Sequence, residues 1–184
     1  MLVKHSAVVP VRGTPPSTWE LSSEGQRRAA ALGERLRPFP CTRITASDEP
    51  KAAETARIAA RALGVPVLTD PDLREHRRER APFLASDDAF RDAVREVLAR
   101  RSEVVFGEES ADAAHERFAR GVERAMAVGP GDTVVVAHGT VIALYVSRRA
   151  AVDAYALWSA LGLPSYVVLG GDGRVLEVAA EISP

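Results

Sequence analysis

Apolar residues recur along the chain in patterns that predict short buried strands. Residues 1–4 and Thr133–Ala137 are short, largely apolar runs, as expected for strands in a sheet that is covered on both faces. Runs of the same kind predict the other strands at Thr42–Ala46, Val65–Leu68, Tyr166–Leu169 and Val175–Ala179. The last two flank the turn-forming segment Gly170-Gly171-Asp172-Gly173 and are expected to form a closing pair.

Helical spacing of apolar residues, with caps and breakers at the ends, predicts helices between these strands. Ser22 can cap a helix that ends before Pro38, and Ser47-Asp48-Glu49-Pro50 predicts the start of a helix that stops at Gly64. Further helices are expected over about 86–101, 110–128, 140–150 and 152–160, with Pro130-Gly131-Asp132 as a turn. This alternation favours an α/β fold, a three-layer α/β/α sandwich with a largely parallel central sheet, as one domain over residues 1–184.

Composition narrows the class of protein. The hydrophobic share of 46% and charged share of 27% are typical of a folded domain, and a net charge of −1 gives no support for a nucleic-acid or anionic-membrane partner. The single cysteine, Cys41, permits no intrachain disulfide. No apolar run approaches the roughly 18 residues of a membrane helix, and the N-terminus has no secretory-signal pattern. We therefore expect a cytoplasmic protein.

Two histidines follow predicted buried strands, His5 after the first and His138 after Thr133–Ala137. In such folds ligands bind beyond the carboxyl ends of the strands, so both imidazoles are expected at one crevice. Each could instead be a satisfied, half-buried histidine. The same edge is expected to hold further polar groups: Lys4, Ser47, Lys51, and the helix N-terminus at Gly139 and Thr140. Imidazoles, ammonium groups and helix N-termini together predict an anion site, most naturally for phosphate.

At these residues the chain resembles the histidine phosphatase superfamily, the phosphoglycerate-mutase-like proteins. Leu2-Val3-Lys4-His5-Ser6 is similar to that family's Leu-Val-Arg-His-Gly. Val134-Val135-Val136-Ala137-His138-Gly139 is similar to its Val-x-x-Val-x-His-Gly. Between them, in the family's order, lie segments similar to its other motifs: Leu21–Gln26, Thr45–Ala56, Leu73-Arg74-Glu75 and Gly107–Ser110. The ordered set, over about residues 2–146, is more specific than any one motif.

The resemblance implies a role for each residue. His5 would attack phosphorus and form a phosphohistidine, and His138 would donate a hydrogen bond to the transferring group. Glu75 would protonate the leaving alcohol and then assist water, although a glutamate among arginines could also be a solvated surface charge. Lys4 and Lys51 would take the family's two arginine positions. No metal and no cofactor is implied, since the histidines and acids lack metal-ligand spacing.

The chain departs from the family's pattern at Lys4, Lys51 and Ser6. A lysine is a point charge without the bidentate fork of arginine, and the Ser6 hydroxyl could contact phosphate or only a backbone group. Only two of the 24 basic residues are lysines, and both fall at these expected pocket positions. We therefore hypothesise that the pocket requires lysine there.

Other residues are weaker candidates. Arg74 and His76, with Arg77, Arg78 and Arg80, could clamp a second anionic group of the substrate or form a solvated loop, and Arg12 is a similar candidate. His115 is expected to be exposed. Residues 76–109 could form a lid, or Phe83, Leu84 and Phe106 could pack into the core.

Two classes of function remain open from the sequence. The first is a metal-independent phosphomonoesterase that hydrolyses a small phosphorylated metabolite or a phosphoprotein. The alternative is a non-catalytic sensor that binds a phospho-ligand without turnover. A nucleotide-binding domain has little support, because the Gly-rich phosphate-binding motifs are missing from the sequence. The sequence predicts neither the substrate nor the oligomeric state.

Overall fold

The computed structural model describes residues 1–82, 84, 86–129 and 132–184. Phe83 of the predicted lid and Pro130-Gly131 of the predicted turn lie outside the described residues. Within these ranges the strands are β1 (Leu2–Lys4), β2 (Cys41–Ala46), β3 (Val67–Thr69), β4 (Asp132–Ala137), β5 (Ser165–Leu169) and β6 (Val175–Ala179). They form one sheet in the order β3-β2-β4-β1-β5-β6. The first four strands in that order pair in parallel. Strand β5 pairs antiparallel with β1, and β6 pairs antiparallel with β5.

Helices cover both faces of the sheet. They are α1 (Ser23–Leu36), α2 (Pro50–Leu63), α3 (Asp87–Ala99), α4 (Ala111–Ala127), α5 (Gly139–Arg149) and α6 (Ala154–Ala160). One apolar core, around Val3 and Val134, packs against α1 and α2. The other, around Leu2 and Val135, packs against the remaining helices. Neighbouring strand residues point to opposite faces, so the predicted three-layer α/β/α sandwich is confirmed.

The N-terminal ends of α1 and α2 are capped in different ways. Ser22 caps α1 as predicted, since its hydroxyl accepts the Gly25 N–H at 2.9 Å. The N-cap of α2 is Glu49 rather than Ser47, and its side chain makes no capping bond. The backbone carbonyl of Glu49 accepts the N–H groups of Ala52 and Ala53, both at 3.0 Å, so the Glu49 carboxylate is available for the sheet edge.

Strand register brings the two predicted histidines together. Lys4 of β1 pairs with Ala137 of the parallel strand β4, so His5 and His138 follow at the same level. Ala46 of β2 pairs with Val136 on the other side of β4, which places Ser47 at that edge too. The carboxyl ends of the three strands therefore form the crevice that the sequence predicts.

The segment over residues 76–109 is anchored to the core through α3. Val94 and Val97 are buried there, and Phe90 is half-buried against Trp158. The prediction for His115 was wrong: it is half-buried, because its ring stacks on Tyr145 with centroids 6.2 Å apart. Whether residues 76–109 close as a lid stays a prediction. None of the helices in the described part of the chain is long and apolar enough to cross a membrane.

Candidate active site

The imidazoles of His5 and His138 lie side by side at the sheet edge. Their ring centroids are 5.2 Å apart, with an interplanar angle of 62°. The His5 N–H donates to the Ala137 carbonyl at 3.0 Å and so continues the pairing between β1 and β4. Both residues are buried. The rings are thus close enough to act on one small group.

His5 is oriented as a nucleophile. Its Nδ1 lies 2.8 Å from the Ser6 carbonyl, which can only accept, so the proton is assigned to Nδ1 and the lone pair to Nε2. Burial, followed by the nearby His138 and Lys51, holds the pKa of His5 well below its ordinary value. The ring is therefore neutral at neutral pH, the state in which imidazole can attack an electrophile.

His138 is the N-cap residue of α5 and is completely buried. Its Nε2 lies 2.9 Å from the Ser47 hydroxyl and 3.6 Å from the Glu49 carboxylate. Burial and, after it, Lys51 hold the pKa of His138 well below its ordinary value. A neutral imidazole whose Nε2 carries a hydrogen can donate to an anionic oxygen without repelling the His5 ring.

Glu75 is bound to the first turn of α5. Its carboxylate accepts the backbone N–H groups of His76 (2.8 Å), Thr140 (3.1 Å) and Val141 (3.2 Å). Burial raises the pKa of Glu75, but Arg78, His138 and these N–H groups outweigh it and lower the pKa to about 2. The N-terminus of α5, which the sequence predicts to bind an external anion, therefore binds the Glu75 carboxylate of the protein itself.

Lys51 forms a buried ion pair inside the pocket. Its ammonium pairs with the Glu49 carboxylate and donates to the Pro16 carbonyl at 2.7 Å. Glu49 also accepts the backbone N–H of Glu75 at 2.9 Å. Sequence reasoning missed Glu49 because it was assigned only to the start of α2. Its position two residues before Lys51, at the same strand-to-helix junction, was the signal that could have found it.

Lys4 lies beside the pocket rather than in its wall. Its Nζ donates to the Leu161 carbonyl at 2.6 Å, and burial lowers its pKa to about 8. Gly139 makes room for the side chain, because a Cβ there would lie 3.2 Å from Lys4 Cε and 3.3 Å from Trp158. Lys4 must therefore swing away from Leu161 to reach a bound anion.

The pocket at this edge has a cavity volume of about 40 Å³, well below the roughly 300–1,000 Å³ of a typical small-molecule site. Six residues that the sequence singles out for the site line it, Arg78 among them; the other five are His5, Lys51, Glu75, His76 and His138. The remaining lining residues are Pro16, Ser17, Glu49 and Glu79. The pocket thus combines the two imidazoles with charges of both signs.

Several predicted substrate contacts lie outside this lining. Arg74 is more than half exposed, and its guanidinium binds both Asp48 oxygens at 2.6 Å. Arg12 is exposed on the loop after β1. Of the predicted arginine clamp only Arg78 lines the pocket, 3.8 Å from the Glu75 carboxylate. Arg74 is held away from the pocket by its pairing with Asp48, and Arg77 and Arg80 are not among the lining residues.

Ser6 and Thr140 lie behind the pocket wall. The Ser6 N–H donates to the Thr55 hydroxyl at 3.0 Å, which holds the backbone next to His5. The hydroxyls of Ser6 and Thr140 are both buried and have no hydrogen-bond partner among the described residues. They remain candidate ligand contacts only if a substrate reaches deeper than the present lining.

A buried arginine on α4 holds the Glu75 loop from behind. Arg117 donates to the carbonyls of Asp72 (2.9 Å), Arg74 (2.9 Å) and Glu75 (3.0 Å) and pairs with Glu109 at 2.6 Å. The main chain around Glu75 is thereby fixed to the core. Among the described residues no cluster of three or more His, Cys, Asp or Glu is arranged to hold a metal ion.

Comparisons with known proteins agree with this geometry. A model of the histidine phosphatase superfamily (branch 1) matches residues 12–179, a range that begins after Lys4-His5-Ser6. The mycobacterial glucosyl-3-phosphoglycerate phosphatase in complex with inorganic phosphate superposes with a TM-score of 0.72 at 22% identity, over 99% of this chain and 98% of that one. The alpha-ribazole phosphatase of Shigella flexneri superposes with a TM-score of 0.67 at 17% identity, over 100% of this chain and 97% of that one. At these identities the likeness shows a shared fold.

Curated relatives align over shorter segments. The probable phosphoglycerate mutase GpmB of Enterobacter sp. (strain 638) is 42% identical over 55 residues, which are 30% of this chain and 26% of that protein. GpmB of Erwinia tasmaniensis is 26% identical over 134 residues, 69% of this chain and 61% of that protein. The aligned parts are thus less than two thirds of these relatives. With the family model matching most of the chain, the protein belongs to the histidine phosphatase superfamily.

Proposed function

We propose that the protein is a metal-independent phosphomonoesterase that hydrolyses a small phosphorylated metabolite through a phosphohistidine on His5. The observation that carries the proposal is the pairing of two neutral, buried imidazoles 5.2 Å apart at the carboxyl ends of β1 and β4. Membership of a superfamily whose relatives include named phosphatases and mutases supports it. The small pocket favours metabolites, and a phosphoprotein side chain is the other substrate to be tested.

In the first step His5 Nε2 attacks phosphorus, the N–P bond forms and the ester P–O bond breaks. The leaving oxygen needs a proton, which Glu75 supplies. Glu75 is ionised before substrate binds, but the negative phosphoryl group raises its pKa. Phosphomonoesters have a second pKa of about 6, so a monoanionic substrate brings the proton that Glu75 takes up and passes to the leaving oxygen. His138 donates a hydrogen bond to an oxygen on phosphorus, and Lys51 offsets the negative charge of these oxygens.

In the second step water attacks the phosphohistidine. Glu75, now ionised again, accepts a proton from that water and the N–P bond breaks. The proton then passes from Glu75 to the phosphate, which leaves as the monoanion and returns Glu75 to its ionised state. The restored lone pair on His5 Nε2 is ready for another cycle. Splitting the reaction in this way lets a neutral imidazole replace a metal-activated water as the first nucleophile.

The proposal is tested with an aryl phosphate assayed in the presence of a chelator. Wild-type protein is expected to release phosphate, His5→Ala to lose the activity, and His115→Ala, which alters a histidine outside the pocket, to retain it. Chelator-sensitive turnover, or turnover undiminished by His5→Ala, contradicts the mechanism. An assay for phosphoryl transfer between positions of a phosphorylated hydroxy acid distinguishes a mutase, which the names of the GpmB relatives suggest.

One observation favours the alternative of a binding protein without turnover. The Lys51 ammonium is engaged by Glu49 and that of Lys4 by the Leu161 carbonyl, so neither points into an open anion site. A sensor of this kind would bind phosphate or vanadate without hydrolysis. Restoring arginine at both positions separates the two functions: a large gain from near zero favours the sensor, and a modest change favours a working enzyme.

A further inference from the structure

Glu49 places a carboxylate where the proposed mechanism requires a phosphoryl group. One oxygen pairs with Lys51, and the other accepts the Glu75 N–H at 2.9 Å and lies 3.6 Å from His138 Nε2. These donors, an ammonium, a backbone N–H and an imidazole, are the kinds of group that bind phosphate. The side chain is only 6% exposed. Glu49 therefore already occupies two donors that a phosphate oxygen would use, the Lys51 ammonium and the Glu75 N–H, and lies next to the third.

The net charge of the pocket lining also opposes the binding of phosphate. Lys51 and Arg78 contribute two positive charges, whereas Glu49, Glu75 and Glu79 contribute three negative ones. Burial and the neighbouring positive charges keep His5 and His138 neutral, so they add none. The lining thus carries one more negative than positive charge, which disfavours a dianion.

We propose that Glu49 is a specificity-determining residue that competes with phosphate oxygens for Lys51. By holding Lys51 it keeps the affinity for free inorganic phosphate low, so that the product leaves and binding of the substrate depends on its non-phosphate part. A phosphoryl group gains Lys51 only by displacing the Glu49 carboxylate. This inference rests on the proposed function, because it assumes that the His5–His138 pocket is the phosphoryl site.

The contacts of Lys51 indicate what happens when Glu49 is neutralised. Lys51 would keep its bond to the Pro16 carbonyl at 2.7 Å and would stay in the pocket. Glutamine at position 49 retains a carbonyl oxygen for the Glu75 N–H, so the main chain around Glu75 keeps its support. The amide nitrogen then replaces the oxygen that faced Lys51, so the ammonium loses its carboxylate partner and one negative charge is removed from beside the anion site.

The test compares Glu49→Gln with wild type and with Glu54→Gln, which removes an equal charge from the exposed face of α2, where Glu54 accepts from Gln26. Inorganic phosphate is titrated by calorimetry, and KM and kcat are measured with an aryl phosphate. For Glu49→Gln we expect the phosphate dissociation constant to fall by about tenfold or more, because a full charge close to the ligand is removed. KM should fall in parallel, and Glu54→Gln should match wild type.

Unchanged or weaker phosphate binding by folded Glu49→Gln overturns the inference. So does a collapse of kcat with KM unchanged, which would make Glu49 a proton donor. If Glu49→Gln does not fold, Glu49→Asp, which draws the carboxylate back from Lys51, is expected to tighten phosphate binding by a smaller factor, and no tightening there overturns the inference. Failure of this inference and failure of the proposed function give different results. The inference is judged by phosphate affinity, which is measured without turnover. The proposed function fails if activity survives His5→Ala.

Discussion

The Glu75 carboxylate accepts the backbone N–H of Thr140 at 3.1 Å and thereby joins the loop after β3 to the first turn of α5. His138 caps the same helix, so the nucleophile's partner and the proposed acid are positioned by one element. A carboxylate at a helix N-terminus is stabilised by the unpaired N–H groups and by the helix dipole. Glu75 is therefore held in place before any substrate arrives.

Replacing Glu75 tests its role in proton transfer. Glu75→Gln keeps the size of the side chain but cannot carry the proton, so the rate of the first step on an alkyl phosphate should fall by about 10²–10⁴-fold. An aryl phosphate, whose leaving group needs less protonation, should lose much less in the first step. The measurement is the rate at which the alcohol or the phenol is released in a single turnover, which reports the first step for both substrates, with the exposed Glu116→Gln as control. Equal losses on the two substrates would show that Glu75 acts only by holding α5.

Lys4 should make anion binding by the pocket depend on pH. Burial lowers the pKa of its ammonium to about 8, so its positive charge is present below that pH and is lost as the pH rises through it. Phosphate binding by wild type should weaken over this window. An arginine stays protonated there, so Lys4→Arg should keep its affinity at alkaline pH. The measurement is the inhibition constant of sulfate, which does not titrate in this range, as a function of pH; superimposable profiles would exclude Lys4 as the titrating group.

Arg117 is expected to control both stability and the position of Glu75. Arg117→Met removes the bonds to three loop carbonyls and leaves Glu109 without its buried partner. Breaking a buried pair in this way costs about 3–5 kcal/mol. The free energy of unfolding, measured in urea, should fall by that amount. Arg120→Met, on the exposed face of the same helix, should change it by less than about 0.5 kcal/mol, and comparable losses for both would contradict the account.

Gly107 sets the path of the segment that carries Arg78. Its φ is +100°, and a Cβ would lie 2.1 Å from the Arg77 carbonyl oxygen. Gly107→Ala should therefore lower the free energy of unfolding by about 1–3 kcal/mol and reduce kcat/KM by displacing this wall of the pocket. Gly171→Ala is the matched control, since nothing lies within 4 Å of a Cβ there. An active, fully stable Gly107→Ala would show that the wall does not depend on this turn.

Much of the fold followed from local patterns, because strand and helix periods and their caps act over a few residues. β1 and β4 were placed correctly, and the rule for strand ends then located His5 and His138. The strand predicted at Val65–Leu68 begins two residues later and ends one residue later, at Val67–Thr69, where its register with β2 starts opposite Ile44. Boundaries of this kind depend on pairing partners that the local sequence does not contain.

The partners of the charged side chains were harder to predict. Arg74 adjoins Glu75 in sequence but binds Asp48 across the surface, and Lys51 pairs with a carboxylate that sequence reasoning had used only as a helix start. Such choices depend on tertiary neighbours and on burial. The hypothesis that the pocket requires lysine stays a prediction, now with a physical reason: a compact ammonium suits the buried pair with Glu49 and the Pro16 carbonyl.

The central claim, covalent catalysis by His5, is tested most directly by trapping the intermediate. Protein mixed with an aryl phosphate is quenched in alkali, where phosphohistidine survives, and digested for mass spectrometry. The account predicts a phosphoryl group on His5 in wild type and a larger amount in Glu75→Gln, in which water attack is slowed. Turnover with an unmodified His5, or phosphate found on another residue, would contradict it.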